Sequence, residues 1–437
     1  MNSDFLVPNR FRSLDGSQTV HGYLQQPDRY REFDAFDFTP RTIARGSGLS
    51  YVAASMGDDT RSVDMRHFNR VLSFDVANQW VEVEAGVKIG VLCGHLLRHG
   101  LILSVMPGHP NISVGGCMAF DVHGKNHTRD GTFRNSVISF TLLTPSGLIS
   151  DVTREDPIFD ATLGGMGLTG IILSAKIALV PIAGTLCALD IFPVSGLEQG
   201  REVLLENNSS ADFSYSWHDF GGRGSGHGYV ISGNFCDQSG GTSGWESGIP
   251  DPRPGRAMAF LNKFSIPCAT FAYGKVLNSK NGKTINLFDA VFPLSKGRIY
   301  FSLHGRRGFL EHQVVVPHDR WLPYVSRFEG LRVKHGVRFS IASLRLFDGD
   351  RKMITFTGKG VSLTFDLPNT SDGQAFLSEV DQLDCEMGAV ANPSKDSRLP
   401  ASVFRRQMPG LSDFLEIRER VDPDHLLSSS LSQRLEL

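Results

Sequence analysis

The 437-residue sequence lacks several features that would place it in a functional class at once. Its net charge is only −2, so no excess of basic residues indicates a nucleic-acid partner. No run of about 18 apolar residues occurs, and we therefore expect no membrane span. The first residues contain no apolar segment of the kind that a secretory signal needs. What remains is a globular protein for which peripheral contact with a membrane is still open.

Cysteine is also scarce, and its spacing argues against two common uses. The six cysteines form no C-x-x-C pair, and none stands near a histidine at the spacing of a zinc site. We therefore expect reduced thiols, with neither a disulfide framework nor a metal site. This indicates a reducing compartment, so we expect a cytoplasmic protein that at most contacts the inner face of the membrane.

Glycine, in contrast, is abundant, with 46 residues. The stretch 107–126 holds a cluster of small residues at Gly108, Ser113, Gly115 and Gly116. Without a Cβ, glycine lets the backbone approach a ligand closely. Successive N–H groups in such a loop form a concavity that can hold pyrophosphate. The alternative is an ordinary glycine-rich turn between two core strands.

Local patterns predict elements along the whole chain. Apolar spacing predicts helices over residues 90–99 and 371–387, each followed by a glycine that ends it. Two apolar runs around a Pro-Ser-Gly turn predict a hairpin over 137–152. A weak pattern over 23–30 favours one short helix.

The second half of the chain alternates strands and helices from residue 185 to 387. Residues 314–317 and 361–367 are predicted to be strands of one sheet. A glycine- and serine-rich insert at 221–254 is predicted to be a mobile surface loop. Asp422, followed by proline, is predicted to cap a helix over 425–435.

Six motifs occur in a single order, and together they are specific. They are A-R-G-S-G-L-S-Y at 44–51, P-G-H-P-N-I-S-V-G-G at 107–116, F-D-V-H-G-K-N-H at 120–127, G-G-M-G-L-T-G-I-I at 164–172, S-K-D-S-R at 394–398 and V-D-P at 421–423. This set resembles the FAD-linked oxidases of the vanillyl-alcohol oxidase, or para-cresol methylhydroxylase (PCMH-type), fold. Within that family it is most similar to the oxidases of decaprenylphosphoryl-ribose. The resemblance covers residues 41–181 and 388–437 well and is thin over 185–387.

The resemblance implies a two-lobed α+β fold. Residues 1–183 would form the FAD-binding domain, 184–387 an inserted α+β substrate domain, and 388–437 a segment that returns to the FAD-binding domain. The composition itself changes near residues 184 and 388, which agrees with this division.

The resemblance also implies which residues hold FAD. The turns at 46–51 and 113–116 would offer backbone N–H groups to the two phosphates, and the backbone of Ile172 would meet the adenine. The first loop contains no histidine, so we expect FAD to be bound without a covalent bond. For Tyr51 the alternative is a core tyrosine. The expected cofactor-binding residues are Ala44, Arg45, Gly46, Ser47, Gly48, Leu49, Ser50, Tyr51, Gly108, Ser113, Val114, Gly115, Gly116, Phe120, Asp121, Val122, His123, Ile172 and Asn392.

On the substrate side the sequence departs from the family. Thr364 stands where the related oxidases have a cysteine, and His312 and Asn392 stand where they have tyrosines. Lys395 is kept, and we expect it to hold the reacting hydroxyl; the alternative is a surface lysine. His312, which has the alternative of a core residue, and His123 are the other expected catalytic residues. The expected substrate residues are Lys125, Asn126 and Thr364.

The function that the resemblance implies is FAD-dependent oxidation of an alcohol. The substrate would be a secondary hydroxyl of a sugar carried on a polyprenyl phosphate, with hydride passing to the flavin. This would be the oxidation half of an epimerisation in cell-envelope polysaccharide synthesis, beside a short-chain reductase. The alternatives are a soluble aldonolactone or sugar-alcohol oxidase of the same fold, and a flavin-binding protein without catalysis.

Overall fold

The computed structural model describes residues 6–222, 226–238, 240, 245, 251–255, 258–293 and 298–437. Residues up to 183 contain two main sheets and four short helices. In chain order these elements are β1 Val7–Arg12, β2 Thr19–Gln25, β3 Thr42–Arg45, β4 Arg61–Asp64, β5 Val71–Asp75, β6 Trp80–Glu84, α1 Ile89–Leu96, β7 Leu101–Ile102, α2 Val114–Ala119, α3 His127–Asp130, β8 Val137–Leu143, β9 Ile149–Thr153, α4 Pro157–Thr162, β10 Ile171–Ala178 and β11 Val180–Pro181.

The first sheet has the strand order β1-β2-β4-β3. Strands β1 and β2 form an antiparallel hairpin, whereas β4 runs parallel to both β2 and β3. The helix predicted over 23–30 is therefore wrong. Its first residues belong to β2, where Val20 and Gly22 are buried and the residues between them are exposed, as in a strand with one face on the core.

The second sheet has the order β5-β6-β10-β8-β9 and is antiparallel throughout. Val81 and Val83 of β6 point into the core, where α1 and α2 cover the sheet. The predicted hairpin is confirmed as β8 and β9. The predicted helix over 90–99 is confirmed as α1 and a 3₁₀ turn, which Gly100 ends at a φ of +68°.

Two further sheets and six α-helices occupy the described residues between 184 and 391. The third sheet has the order β13-β14-β12-β15 and the fourth β17-β18-β16-β19, with antiparallel pairing in both. The elements are β12 Leu186–Val194, α5 Leu197–Asn207, β13 Phe213–His218, β14 Gly228–Cys236, α6 Ile266–Asn278, β15 Lys283–Asn286, α7 Leu287–Val291, α8 Arg298–Ser302, β16 Phe309–Pro317, α9 Trp321–His335, β17 Ile341–Asp348, β18 Lys359–Pro368, α10 Ser371–Met387 and β19 Val390–Ala391.

The insert predicted as a mobile loop over 221–254 contains a strand instead. Strand β14 lies in the middle of the third sheet, between β13 and β12, so the prediction is wrong there. Gly228 at its start and Gly233 within it interrupt the apolar run that predicts a strand. Residues 223–225, 239, 241–244 and 246–250 of the insert lie outside the described residues.

The fourth sheet carries α9 and α10 on one face. The predicted strands at 314–317 and 361–367 are confirmed as parts of β16 and β18, which pair directly. Helix α10 is also confirmed. Thr370 accepts a hydrogen bond from the Gly373 N–H at its start, and Gly388 ends it at a φ of +64°.

The last residues return to the N-terminal half through α11 Ala401–Gln407, α12 Leu411–Val421 and α13 Ser430–Leu435. Leu427 forms a parallel bridge with Thr42, and buried Leu427 and Leu431 pack in the same core as Ile43. Asp422 does not cap a helix over 425–435. Its carboxylate accepts the N–H groups of the next turn, and the last helix begins only at residue 430. The division into three domains stays a prediction.

None of the helices described is long and apolar enough to cross a membrane.

Candidate active site

A first cavity lies where three glycine-rich loops meet: the loop after β3, the segment that enters α2 and the loop before β10. Most of its lining side chains are small, so backbone forms much of its wall. The lining residues are Ala44, Gly46, Ser47, Gly48, Leu49, Ser50, Tyr51, Ala54, Ser55, Met65, Ala85, Ile112, Ser113, Gly115, Gly116, Ala119, Phe120, Val122, Met166, Gly167, Gly170, Ile172, Ser394 and Lys395.

The loop after β3 presents unpaired donors beside this cavity. Within the described part of the chain, none of the backbone N–H groups from residue 46 to 51 donates a hydrogen bond. The Ser47 Oγ is buried and has no partner there either. Residues 46–51 are half-buried and line the cavity, so these donors are available to a ligand there. The loop therefore suits an acceptor-rich ligand such as a pyrophosphate.

The segment that enters α2 behaves differently, and here the sequence prediction is partly wrong. The N–H groups of Val114 and Gly115 already donate to the carbonyls of Val87 and Ala85, at 2.9 and 2.7 Å, so neither is free for a phosphate. Val114 is fully buried in the core. Gly115 is needed for packing, because a Cβ there would lie 3.2 Å from the Ala85 carbonyl oxygen.

Gly116 is the glycine of this segment that leaves room for a ligand. A Cβ at that position would meet only the Ser113 Oγ, at 3.2 Å, and the tip of Ile112. Arg45, by contrast, does not line the cavity. Its guanidinium donates to the Ser55 Oγ at 2.9 Å and lies over the ring of Phe11, so its side chain is engaged there, and the expected cofactor contact of Arg45 stays a prediction.

A second cavity adjoins the first. Seven residues line both, and we call this shared wall the junction: Leu49, Tyr51, Ile112, Phe120, Val122, Ser394 and Lys395. The remaining lining residues of the second cavity are Leu14, Met106, Pro107, Gly108, His109, Asp121, His123, Gly124, Lys125, Tyr300, Phe301, Glu311, Gln313, Ile341, Ser343, Arg345, Phe356, Thr364, Asp366 and Asn392. A ligand that fills the first cavity therefore meets a ligand of the second at the junction.

One face of the fourth sheet provides the polar wall of the second cavity. The register places Ile341, Asp366 and Glu311 side by side on β17, β18 and β16. Two residues further along, Ser343, Thr364 and Gln313 form the next row. Because side chains alternate across a strand, these residues all point to the same face.

Lys395 lies at the junction, half-buried, so the alternative of a surface lysine is wrong. Its Nζ is 3.0 Å from the Glu311 Oε1 and 4.1 Å from the ring centroid of Tyr51. Burial raises the pKa of Tyr51 well above its usual value, and the charge of Glu311 adds to this effect. The Lys395 amine, the Glu311 carboxyl group and the Tyr51 phenol thus lie together at the junction.

Asp366 stands beside Glu311 on the neighbouring strand. Burial raises the pKa of Asp366 well above its ordinary value, and the charge of Glu311 raises it further. The Tyr300 hydroxyl donates to the Asp366 Oδ2 at 2.5 Å, while the Asp366 Oδ1 is buried without a partner in the described structure. A protonated carboxyl group here can donate a hydrogen bond to a substrate oxygen.

His123 lines the second cavity as a neutral ring. Burial lowers the pKa of His123 to about 3, and the nearby charge of Arg345 adds to the shift. Its Nδ1 donates to the Gly124 carbonyl at 3.0 Å, so Nε2 accepts from the Gln313 side-chain amide at 2.9 Å. Asn392 in turn donates to the Gln313 Oε1 at 2.8 Å. Asn392 thus supports the second cavity and does not line the first.

His312 is not an active-site residue, and this prediction is wrong. It lies between Glu311 and Gln313 on β16, so alternation turns it to the opposite face of the sheet. There it is fully buried, with its two ring nitrogens 2.9 Å from Asp396 and 3.0 Å from Asp384. Burial alone would lower the pKa of His312, but these two carboxylates outweigh it and raise the pKa to about 10.

His312, Asp381 and Asp384 are close enough to suggest a metal site, with ligand atoms within 4.8 Å of one another. Their hydrogen-bonding capacity is already used, however. Asp384 also accepts from Tyr324 at 2.8 Å, and Arg398 binds Asp381 at 2.6 and 2.8 Å. We therefore read the cluster as a buried ion-pair network that stabilises the fold.

Of the expected substrate residues, the structure places two in the second cavity. Lys125 donates to the Val291 carbonyl, and burial lowers the pKa of Lys125 to about 7, helped by the charge of Arg345. Thr364 lines the wall. Asn126 does not, because its amide donates to the Ser104 carbonyl and to Asp130.

Two expected FAD contacts also belong elsewhere. Gly108 lines the second cavity and not the first. Asp121 reaches the second cavity, but its carboxylate accepts from the backbone and side chain of Arg134, at 2.8 and 3.2 Å, and so serves as scaffold.

The sequence prediction missed Glu311, Gln313, Ser343, Arg345 and Asp366. In β17 the polar residues alternate cleanly with buried Ala342, Leu344 and Leu346, which is also the pattern of a strand with a solvated face. In β16 the run Glu-His-Gln within a fully buried strand was a usable signal. Period-two alternation selects its first and third residues together, and not its histidine.

Comparisons with known proteins agree with this geometry. Residues 38–153 match the model of a family described as "FAD binding domain". The chain is 31% identical over 418 residues, which is 90% of this chain and 89% of the relative, to a protein of Mycolicibacterium smegmatis named decaprenylphosphoryl-beta-D-ribose oxidase. The chain belongs to the family of decaprenylphosphoryl-ribose oxidase.

More distant relatives share a smaller part of the chain. Bovine L-gulonolactone oxidase is 31% identical over 143 residues, 32% of each protein. The mitochondrial D-lactate dehydrogenase (cytochrome) 1 of Saccharomyces cerevisiae is 33% identical over 119 residues, 27% of this chain and 20% of the relative. All three matches are consistent with an FAD-dependent oxidoreductase that acts on an alcohol. The resemblance found in the sequence is thereby confirmed for the family, the α+β PCMH-type fold and the cofactor.

The first cavity fits FAD on its own structural features. Unpaired N–H groups and the unpartnered Ser47 Oγ suit the pyrophosphate. Gly46 suits a close approach of two loops, because a Cβ there would collide with the Ser113 Oγ. Ile172 lines the first cavity, its contact with the adenine stays a prediction, and Tyr51 lines both cavities.

Proposed function

We propose that this enzyme oxidises a secondary hydroxyl group of a sugar carried on a polyprenyl phosphate. The observation that supports it is an unpaired positive group in a cavity that adjoins the flavin site. Arg345 lines the second cavity, has no hydrogen bond or ion pair among the described residues, and its Nε and the Ser343 Oγ are buried without a partner. Lys125 lines the same cavity. A phosphate group would provide the negative charge and the acceptor oxygens that Arg345 and Ser343 lack as partners.

In this proposal the residues after β3, together with Gly116 and Ile172, hold FAD. When bound, FAD supplies the acceptor for the hydride of the carbinol carbon. No histidine or cysteine lines the first cavity in the described residues, so we expect FAD to be dissociable. Acid precipitation should release all of the yellow colour into the supernatant, and colour that stays in the pellet would contradict a non-covalent cofactor.

The residues of the second cavity orient the sugar and move its proton. Lys395 holds the reacting hydroxyl oxygen at the junction by an N–H···O hydrogen bond. Glu311, whose carboxylate is 3.0 Å from the Lys395 Nζ, accepts the hydroxyl proton as the carbinol carbon becomes a carbonyl. Protonated Asp366 donates to a second sugar oxygen. Neutral His123 keeps the Gln313 amide in place and stays uncharged over the working pH range.

The test is anaerobic bleaching of the bound flavin by a panel of alcohols. The panel contains a polyprenyl-phosphate-linked pentose, the same sugar phosphate without lipid, the free sugar, an aldonolactone and D-lactate. The lipid-linked sugar should bleach the flavin fastest, and deuterium at the reacting carbon should slow it. Bleaching by the lactone with no response to any sugar phosphate would contradict the proposal and favour a lactone oxidase.

The product of this reaction would be a keto-sugar. We propose that a short-chain reductase consumes it, so that the pair inverts one carbon, and that the enzyme works at the inner face of the membrane. The support is the family relationship, together with a lipid-linked substrate that would reside in a membrane. Mass spectrometry should find a product two hydrogen masses lighter than the substrate, which borohydride converts into two epimers. A carboxylate or lactone product would contradict this.

A further inference from the structure

One stretch of the surface exposes large apolar side chains that nothing in the described structure covers. Met258, Phe260, Phe264, Phe271 and Val276 are 75, 57, 78, 63 and 57% exposed. They come from α6 and the segment before it, and we call them the 258–276 patch. Soluble surfaces usually scatter such residues singly, whereas a cluster of this kind marks an interaction site.

The patch is held in place and does not consist of loose side chains. Ile266, Thr270, Gly274 and Leu277 anchor the inner face of α6 in the protein. The segment before α6 is tied down because the N–H groups of residues 260 and 261 both donate to the Leu303 carbonyl, at 2.8 and 3.0 Å. The apolar rings are thus presented to the outside by a fixed scaffold.

The stretch of chain that carries the patch has charges of one sign. No acidic residue occurs between Asp251 and Asp289, although the whole chain has a net charge of −2. Lys263 and Lys275 lie directly beside the exposed rings, with their Nζ atoms 5.3 and 5.4 Å from the ring centroids of Phe264 and Phe271. Exposed apolar groups flanked by lysines match a surface of anionic lipid headgroups over acyl chains.

The patch also lies next to the second cavity. The Leu303 carbonyl that receives the 260–261 N–H groups follows α8 directly in the chain, and Tyr300 and Phe301 of α8 line the second cavity. A membrane in contact with the patch would therefore lie close to this wall of the cavity.

We propose that the 258–276 patch docks the enzyme on an anionic phospholipid membrane, so that a lipid-borne substrate reaches the second cavity without leaving the bilayer surface. Docking is inferred from the exposed residues and their charge alone. The delivery of substrate rests on the proposed function.

The test is co-sedimentation of the full-length, FAD-loaded protein with vesicles of phosphatidylcholine, with and without phosphatidylglycerol. The wild type should bind the anionic vesicles, and salt should weaken binding. A Phe264→Ser/Phe271→Ser variant should bind at least about tenfold more weakly, because apolar area drives insertion. Lys263→Gln and Lys275→Gln should each weaken binding to the anionic vesicles by about fivefold and leave binding to pure phosphatidylcholine unchanged.

The matched control is Leu148→Ser/Val333→Ser, which removes two apolar side chains that are 61 and 66% exposed elsewhere on the surface. It should bind like the wild type. Cys268 is exposed on the same helix, so an environment-sensitive thiol dye attached there should shift to shorter wavelength when anionic vesicles are added. Failure of the wild type to sediment, or equal loss in the control variant, would overturn the proposal. A dimer that the patch variant splits, without vesicle binding, would assign the patch to self-association instead.

Vesicle binding is measured without turnover, so it does not depend on the identity of the substrate. Bleaching by the lipid-free sugar phosphate should be the same in the patch variant and the wild type. If no sugar bleaches any variant while the vesicle results hold, the proposed function fails and docking stands. If bleaching holds and vesicle binding is absent, docking fails alone.

Discussion

The two cavities that meet at the junction differ in the groups that they offer to a ligand. The first is lined by glycine, alanine and serine, and its available donors are main-chain N–H groups. The second has a polar wall on neighbouring strands of one sheet, with the ionisable side chains Glu311, Arg345 and Asp366, while many of its other lining residues are apolar. A cavity of the first kind binds a ligand through backbone and tolerates little added volume. A cavity of the second kind selects its ligand by charge and can change its specificity by single substitutions.

The largest effect is expected where a side chain would enter the first cavity. Gly116→Val should abolish FAD binding, because its Cβ branch would occupy space that only the Ser113 Oγ and Ile112 now border. The measurement is the ratio of flavin to protein absorbance after purification. Gly330→Val is the matched control, since a Cβ at that position meets nothing within 4 Å. A Gly116→Val enzyme that is isolated fully loaded with FAD would contradict the assignment of the first cavity to FAD.

The next largest effect is expected on stability. It distinguishes His312, which faces away from the second cavity, from the residues of β16 that face it. His312→Gln leaves Asp384 buried without its cation and Asp396 with only Arg398 as a cationic partner, which should cost about 3–5 kcal/mol of unfolding free energy. The rate of flavin reduction in the folded variant should stay close to that of the wild type, because His312 faces away from the second cavity. A large loss of rate with unchanged stability would restore His312 to the active site.

The same network predicts a pH dependence. The pKa of His312 in the fold is about 10, above its ordinary value of 6.5, so its protonated form stabilises the fold. This contribution is complete below pH 6.5 and is lost as the pH rises through 10. Denaturant unfolding from pH 6 to pH 10 should show a decline in the wild type that His312→Gln lacks. Equal slopes in the two proteins would contradict the assignment.

These contrasts also explain what the sequence could predict. A loop that binds its ligand through backbone groups is marked by glycines close together in the sequence. The sequence therefore predicts the loops after β3 and before β10, and it also identifies the family. Side-chain-built parts depend on which strands become neighbours. Glu311, Thr364 and Ser343 adjoin only because β16, β18 and β17 pair in one register. The resemblance points to His312 because it stands where the family has a tyrosine, whereas period-two alternation places its side chain on the face of β16 opposite the second cavity.

A smaller effect should distinguish phosphate recognition from chemistry. Arg345→Gln should raise the KM for a phosphate-bearing sugar about ten- to a hundredfold, in line with the roughly 1.5–3 kcal/mol of a charged hydrogen bond. It should change kcat little, and Arg345→Lys should restore part of the loss because it keeps the charge. The same KM for sugars with and without phosphate in the wild type and in Arg345→Gln would contradict a phosphate subsite.

The two cavities meet at Lys395. We propose that Lys395 acts on the substrate and does not hold the cofactor. Stopped-flow reduction of the flavin, compared between wild type and Lys395→Ala with FAD content and thermal midpoint measured on the same samples, tests it most directly. Lys352→Ala, which removes an exposed lysine paired with Asp160, is the control. We predict unchanged FAD content, a thermal midpoint close to that of the wild type, and a reduction rate lower by roughly a hundredfold or more. A wild-type reduction rate in Lys395→Ala, or loss of its FAD, would contradict this role of Lys395.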